Sequence, residues 1–217
     1  MRKRGLGFAI LILGLLTLAM RGCQGGPPGA LVYNAPVSYH IAPGEDVPGT
    51  TIRYVGSTDK GAELLIGRQK AYKKTADSVD WQGSLTEEVA LDLAARVVRF
   101  SEETLHLAGT ARITVKNPDP RAASLPSEAP LEYHAIPVAS FVERGNRLPG
   151  TLIEYLGPTD KGAELGGVEG YPYRKTLDSI VWAGRLKEDL FLKLNVRVVR
   201  YGEKGLTVTG LASLWIE

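Results

Sequence analysis

Apolar side chains occupy every second position over three successive stretches between residues 79 and 115. Alternate positions of a β-strand share one face, so this pattern predicts strands with one buried face rather than helices. The short polar turn SEET after Phe100 joins the last two stretches, and the pattern predicts an antiparallel meander. The inward positions are Val79, Trp81, Gly83 and Leu85; Val89, Leu91, Leu93, Ala95 and Val97; and Leu105, Leu107, Gly109, Ala111, Ile113 and Val115.

The same meander occurs twice. Residues 48–115 reappear without a gap as residues 149–216, shifted by 101 positions, and about half of the aligned residues are identical. The turn GEKG after Tyr201 takes the place of SEET. A pattern that recurs over this length indicates a tandem duplication, with each copy large enough to bury a core.

Two further strands, TTIRYVG and GAELLIG, flank the turn STDKG, and the stretch around Tyr39 supplies a sixth. Six short strands in about 85 residues predict an all-β protein made of two small antiparallel β-sandwiches or half-open barrels. The alternative is a single fused sandwich in which both copies share a core. The predicted divisions are a signal or anchor (1–23), a tether (24–30), the first unit (31–116), a Pro-rich linker (117–128) and the second unit (129–217).

Upstream of the repeat, APVSYH at 35–40 resembles APLEYH at 129–134, which is an offset of 94. This match makes His40 equivalent to His134. It also predicts that the second unit gained seven residues within 136–148, and such an insertion is where two copies most readily differ in function.

The N-terminus combines Arg2, Lys3 and Arg4 with an apolar run over residues 6–20. A basic segment before an apolar run is typical of an export signal, and the basic residues hold that end in the cytoplasm. The run has about 15 residues, fewer than the ~20 that span a bilayer comfortably. We therefore expect everything after this segment to be extracytoplasmic.

Cys23 is the only cysteine in the chain, so no intrachain disulfide can form. Its position directly after the apolar run, followed by the Gly/Pro-rich residues 24–30, resembles the signal of bacterial lipoproteins. Gly22 fits that pattern, whereas Met20 and Arg21 stand where leucine and a small residue are usual. The resemblance implies lipidation of Cys23 and attachment to the cell envelope. An uncleaved signal-anchor is the open alternative.

The net charge of +2 conceals a nearly neutral exported part. Four of the 26 basic side chains precede Cys23, and the 24 acidic ones all follow it, against 22 remaining basic ones. The basic residues are also scattered. The sequence therefore excludes the basic patch of a nucleic-acid-binding protein.

The string GxTDKGAEL, at 56–64 and 157–165, carries the carboxylates of Asp59, Glu63, Asp160 and Glu164. Paired carboxylates are needed for glycoside hydrolysis, and oxygen ligands also suit Ca²⁺. The interpretation that we favour is structural: the aspartate bonds to the turn backbone and the glycine supplies a positive φ.

Arg197 and Arg200 repeat Arg96 and Arg99, and Asp178 repeats Asp77. An acid and an arginine on neighbouring strands predict a structural ion pair at the sheet rim, worth ~0 to 1 kcal/mol when exposed. The functional alternative is an arginine pair that clamps an anion.

Tyr171 and Tyr173 form a candidate binding surface, because exposed tyrosines can stack on sugars or pack against a partner protein. The alternative has Tyr173 at the core edge and Tyr171 as a single exposed ring. Trp81 and Trp182 lie on the apolar face and are expected to be core anchors.

Motifs of known chemistry are missing from the sequence: it has no GxSxG, no HExxH and no cysteine nucleophile in the exported part. It therefore predicts neither a cofactor nor a metal site, and a protein that is not an enzyme. We expect a membrane-tethered protein with a binding or structural role at the cell envelope, whose partner is a glycan or a protein. The alternatives are an envelope glycan hydrolase that uses Asp/Glu pairs and a subunit of an envelope assembly.

Overall fold

The computed structural model describes residues 27–217. Cys23 and the apolar run at 6–20 lie outside the described residues, so the predictions made for them stay predictions. Every regular element of the described part is a β-strand. Over residues 27–217 there is no helix of the length and hydrophobicity needed to cross a membrane.

The first unit has a four-stranded and a three-stranded antiparallel sheet. The larger sheet has the order β1-β7-β6-β5, and the smaller has the order β2-β3-β4. The predicted meander is confirmed as β5-β6-β7, and the strand expected around Tyr39 is β1. The strands are β1 (Leu31–Ile41), β2 (Ile52–Thr58), β3 (Gly61–Ile66), β4 (Gln69–Lys73), β5 (Ser78–Ser84), β6 (Val89–Phe100) and β7 (Leu105–Val115).

The second unit follows the same order, with an added edge strand. Its larger sheet is β8-β13-β14-β15-β9 and its smaller sheet is β10-β11-β12. The added strand β8 comes from the segment predicted to be a linker, and it pairs with β13. The strands are β8 (Arg121–Ala122), β9 (Leu131–Glu143), β10 (Glu154–Thr159), β11 (Gly162–Gly166), β12 (Tyr173–Arg174), β13 (Ser179–Lys187), β14 (Leu190–Gly202) and β15 (Gly205–Ile216).

Along the meander strands, the alternating apolar positions of the sequence are the buried positions of the structure. In β14, for example, Leu192, Leu194 and Val196 are buried while the residues between them face outward. Burying one such side chain contributes roughly 1.5–3 kcal/mol relative to leaving it exposed. The all-β, antiparallel fold class predicted from this pattern is therefore confirmed.

The two tryptophans pack as the alternation predicts. Trp182 is buried, and Trp81 is partly buried against the core. Each ring lies over the glycine two residues further along its strand, because a Cβ on Gly83 or Gly184 would fall 2.3 Å or 2.6 Å from the ring. Any other residue at these two glycines would displace the indole.

The pairing registers correct the upstream alignment. Tyr33 lies opposite Ile113, and Tyr133 lies opposite Leu214, which is Ile113 shifted by 101. Tyr133 is therefore the counterpart of Tyr33. A register irregularity in β9 accommodates one extra residue near Ala135, whose φ is 53°.

The predicted seven-residue gain at 136–148 is consequently wrong, because β9 contains a single bulged residue that β1 lacks and the offset of 101 holds after it. His40 is equivalent to Phe141, and His134 is equivalent to Asn34. The alternation of buried positions sets the register, since a slip of one residue would turn every side chain to the other face. The similarity between the short strings APVSYH and APLEYH does not fix the register in this way.

The two units are in contact along their edge strands, β1 and β9. A single cluster of buried apolar side chains draws on both units, while each unit has its own two antiparallel sheets. The contact is reciprocal. The Cα of Gly49 faces Leu131 of the second unit, and that of Gly150 faces Leu31 and Tyr33 of the first. This is the pattern of a two-fold interface between like subunits.

Candidate functional site

Threonine, not aspartate, holds the turn in GxTDKG. The Thr58 hydroxyl donates to the carbonyl of Gly61 at 2.8 Å and accepts from the Lys60 amide at 3.2 Å. Thr159 makes the same two bonds in the second unit. Gly61 has a φ of 130°, and a Cβ there would lie 2.6 Å from a backbone oxygen of Lys73. The role predicted for the aspartates is therefore corrected: Asp59 and Asp160 are exposed at the tips of their turns.

Glu63 and Glu164 differ in their surroundings. Glu63 is only 8% exposed and forms an ion pair with Lys70, with 2.8 Å between Oε1 and Nζ. Hydrogen bonding to this carboxylate raises the pKa of Lys70. The counterpart of Lys70 is Tyr171, so Glu164 lacks that cation. A turn-tip aspartate in each unit, with a glutamate that is ion-paired only in the first, does not resemble two carboxylates that face each other across a cleft.

The arginine that recurs in both meanders stabilises a strained turn. Arg96 donates to the carbonyl of Ala76 at 2.8 Å, and Arg197 donates to the carbonyl of Leu177 at 3.0 Å. Both acceptor residues have a positive φ, 72° and 75°. A hydrogen bond from a charged donor contributes roughly 1.5–3 kcal/mol and offsets this backbone strain.

The predicted ion pair between this arginine and the nearby aspartate is wrong. Asp77 instead accepts from the Lys74 amide, and Asp178 from the Lys175 amide, both at 2.7 Å. Each group holds the same turn separately. Arg200 donates from Nε to Thr207 Oγ1 at 3.3 Å, so Arg197 and Arg200 have different partners.

Tyr171 and Tyr173 do lie together. Their ring centroids are 5.4 Å apart in an edge-to-face arrangement, and Tyr171 is 64% exposed. The Lys161 ammonium lies 5.3 Å from the centroid of the Tyr173 ring, as Lys60 lies near Tyr72 in the first unit. Tyr171 is thus specific to the second unit, while the cation–π contact is part of the repeat.

The site that sequence reasoning missed lies where β1 meets β9. At one end of this contact, Tyr39 extends across to Tyr133, and the two hydroxyls face each other with no third partner among residues 27–217. Burial raises the pKa of both phenols, so both remain protonated at neutral pH. An aromatic ring fills this end of the interface.

The equivalent end contains a crevice. The counterpart of Tyr39 is Ser140, and the counterpart of Tyr133 is Tyr33; both line this inter-unit crevice. The enclosed part of the crevice has a volume of about 30 Å³. The empty space is about 430 Å³ when the open solvent at its mouth is included. The remaining walls are mostly apolar and come from both units, among them Leu31, Val138, Leu194 and Val208.

This crevice combines apolar walls with two hydroxyl-bearing residues, Tyr33 and Ser140. Binding sites for small molecules are typically of that composition. In the sequence, the only sign of this crevice is that a tyrosine in the first unit, Tyr39, corresponds to a serine in the second, Ser140. This correspondence appears only when the two segments are aligned at the offset of 101 that the strand registers establish.

Within residues 27–217, no group of three or more His, Cys, Asp or Glu side chains is arranged to hold a metal ion. The chain matches no protein-family model, no curated protein and no solved structure. Its function must therefore be argued from its own geometry.

Proposed function

We propose that this chain is a membrane-tethered, extracytoplasmic binding protein without catalytic activity, and that the inter-unit crevice receives a ring-sized apolar group of its ligand. The observation that carries the proposal is the replacement of Tyr39 by Ser140 at the equivalent end of the interface. A duplicated interface supplies the shape for an aromatic ring at both ends. Only one end has its own ring.

The walls of the crevice define what it can bind. Leu31, Leu194 and Val208 favour apolar groups, and the Ser140 hydroxyl is available to a polar substituent at one edge. The enclosed part of the crevice, about 30 Å³, is smaller than the cavity of about 150 Å³ that holds benzene in another protein, so a ring must enter through the open mouth and move the walls apart. The chemistry of the walls and the tyrosine side chain at the equivalent end both favour one aromatic ring with a hydroxyl. A glycan, with polar groups on every side, fits these walls less well.

The candidate acids support a role that is not catalytic. Glu63 is neutralised by Lys70, and the turn-tip carboxylate of Asp59 is solvated.

The test uses p-cresol, which is the tyrosine side chain as a free molecule. We expect p-cresol to raise the melting temperature of the full-length chain in detergent, since a ligand at 100 times its Kd adds about 2.7 kcal/mol. Ser140→Tyr, which fills the crevice, is expected to remove the shift. Detergent takes up the same fraction of p-cresol in the wild-type and Ser140→Tyr samples. The difference between their melting-temperature shifts therefore measures binding in the crevice.

Two further variants make the test decisive. Tyr39→Ser should open a second crevice and double the binding stoichiometry of p-cresol by calorimetry. Ser140→Leu blocks the crevice with a smaller group, in case tyrosine does not fit beside Leu148. An equal shift in the wild type and in both blocked variants would contradict the proposed site.

The tether is tested separately. Lipidation at Cys23 predicts that mature protein isolated from membranes carries acyl chains on an N-terminal Cys23, as mass spectrometry would detect. Cys23→Ser should then release the protein from the membrane or leave an uncleaved precursor. A membrane-bound, unacylated wild type would favour the signal-anchor.

One observation favours a second function, that of a subunit in an envelope assembly. In the second unit β8 covers the edge of β13, whereas the equivalent edge of β5 carries no partner strand among residues 27–217. An open strand edge can pair with a strand of another protein. Concentration-dependent association that Asp80→Pro in β5 abolishes would support this alternative.

A further inference from the structure

Two histidines lie side by side on the outer face of the first unit. His40 in β1 is the register partner of His106 in β7, and their rings stack with centroids 4.2 Å apart and 17° between planes. Ser38 Oγ lies 3.0 Å from His106 Nε2. Both histidines are at least partly exposed, so a solute can reach them.

The fold does not require these residues. Their counterparts in the second unit are Phe141 for His40, Thr207 for His106 and Ala139 for Ser38. The strands pair in the same register in both units, although none of these side chains can replace an imidazole in coordination chemistry. Structure alone therefore does not explain why the first unit has the histidine pair.

We propose that His40 and His106 chelate a divalent transition-metal ion, with water completing its coordination. Imidazole nitrogens suit Zn²⁺, Cu²⁺ and Ni²⁺, and the side chains of a directly opposed cross-strand pair project from neighbouring points of one sheet face. This site is distinct from the inter-unit crevice and does not depend on the proposed function.

Chelation requires the two rings to leave their stacked arrangement. An imidazole nitrogen binds a metal in the plane of its ring, and the two planes are only 17° apart with centroids 4.2 Å apart, so the nitrogen lone pairs do not converge on one point as the rings stand. Both side chains are at least partly exposed, so they have room to rotate. That rotation brings one nitrogen of each ring to a common ion, with metal–nitrogen distances of about 2.0–2.1 Å.

The charge around the pair makes a specific test possible. Arg99 in β6 is the register partner of His106, so its positive charge lies beside the pair. That charge repels a cation. Arg99→Gln should therefore strengthen metal binding. If the three residues bound an anion instead, the same change would weaken binding.

The experiment titrates Zn²⁺, Cu²⁺ and Ni²⁺ separately into the untagged full-length chain in detergent, with calorimetry as the readout. We expect one ion per chain at the pair. His40→Gln or His106→Gln should each weaken binding on the order of 100-fold, since each removes one arm of a chelate. His134→Gln, which changes the remaining histidine, is the control that should leave the affinity unchanged.

A gain-of-function variant completes the test. Phe141→His with Thr207→His places the same cross-strand pair in the second unit and should raise the stoichiometry from one ion to two. The proposal is overturned if none of the three ions binds, if the His40 and His106 variants bind as the wild type does, or if Arg99→Gln weakens binding. Folding of each variant is checked by circular dichroism and its melting temperature.

Discussion

The two ends of the contact between the units are built from equivalent strands but are filled by different side chains. At one end Tyr39 fills the space beside Tyr133, and at the other Ser140 leaves a crevice beside Tyr33. The shared features, such as the threonine-held turn and the arginine on the strained turn, are those that form the fold. The differences are therefore where the functions of the two units are to be sought.

The largest expected effect on stability comes from replacing Tyr39 with serine, which makes both ends of the inter-unit contact alike. Tyr39→Ser truncates a ring in a contact between edge strands and should lower the free energy of unfolding by about 3–5 kcal/mol, measured by urea denaturation. The control is Tyr39→Phe. Its lost hydroxyl faces only Tyr133, so we expect a change below about 1 kcal/mol. Equal effects of the two variants would show that the ring does not fill the interface.

A second comparison separates contact between the units from local backbone strain. Gly49 has a φ of 74°, and a Cβ there would lie 2.9 Å from a methyl group of Leu91 and 3.0 Å from one of Leu131. Gly49→Ala should therefore cost about 2–4 kcal/mol, from the left-handed backbone and the overpacking together. Thermal or urea unfolding measures this loss.

Gly44→Ala is the matched control, because Gly44 has a φ of 89° and nothing within 4 Å of its would-be Cβ. It should cost only the conformational part, about 1–2 kcal/mol. The difference between the two variants measures how closely the units pack. If Gly44→Ala costs as much as Gly49→Ala, the reciprocal packing contributes little.

Much of the fold could be predicted because its signal is local. The inward positions of β6 and β7 follow from alternation alone, since burial on one face of a strand imposes a period of two. The short strands β4 and β8 were missed for the same reason. Neither buries a continuous apolar face, and β8 exists only because Gly184 lets the backbone of Arg121 approach.

The candidate site could not be predicted because it depends on which strands meet in space. Ser140 and Tyr33 are far apart in sequence, and nothing in either segment indicates that β9 meets β1. The likeness of APVSYH to APLEYH also concealed the true counterparts. Only the pairing of Ser140 with Val208, which repeats the pairing of Tyr39 with Leu107, identifies Ser140 as the residue in the place of Tyr39.

The smallest expected effect compares His106 with its counterpart Thr207. Burial, His40 and Arg99 lower the pKa of His106 below its ordinary value of 6.5. Between the two values the unfolded chain binds more protons than the folded protein, so stability falls as the pH drops below 6.5. We therefore expect the melting temperature to decrease between pH 7 and pH 5.5, and His106→Thr to reduce this decrease.

The pH range identifies the group that is responsible. The carboxylates of Asp46, Glu88 and Glu132 have lowered pKa values because each accepts a hydrogen bond, from Arg53, Lys187 and His134 respectively. Their contribution is lost only as the pH falls below about 4.5, since their ordinary pKa values are lower than that of histidine. A decrease above pH 5.5 that persists unchanged in His106→Thr would therefore show that His106 is not responsible, and the comparison of His106 with Thr207 would not explain the pH dependence.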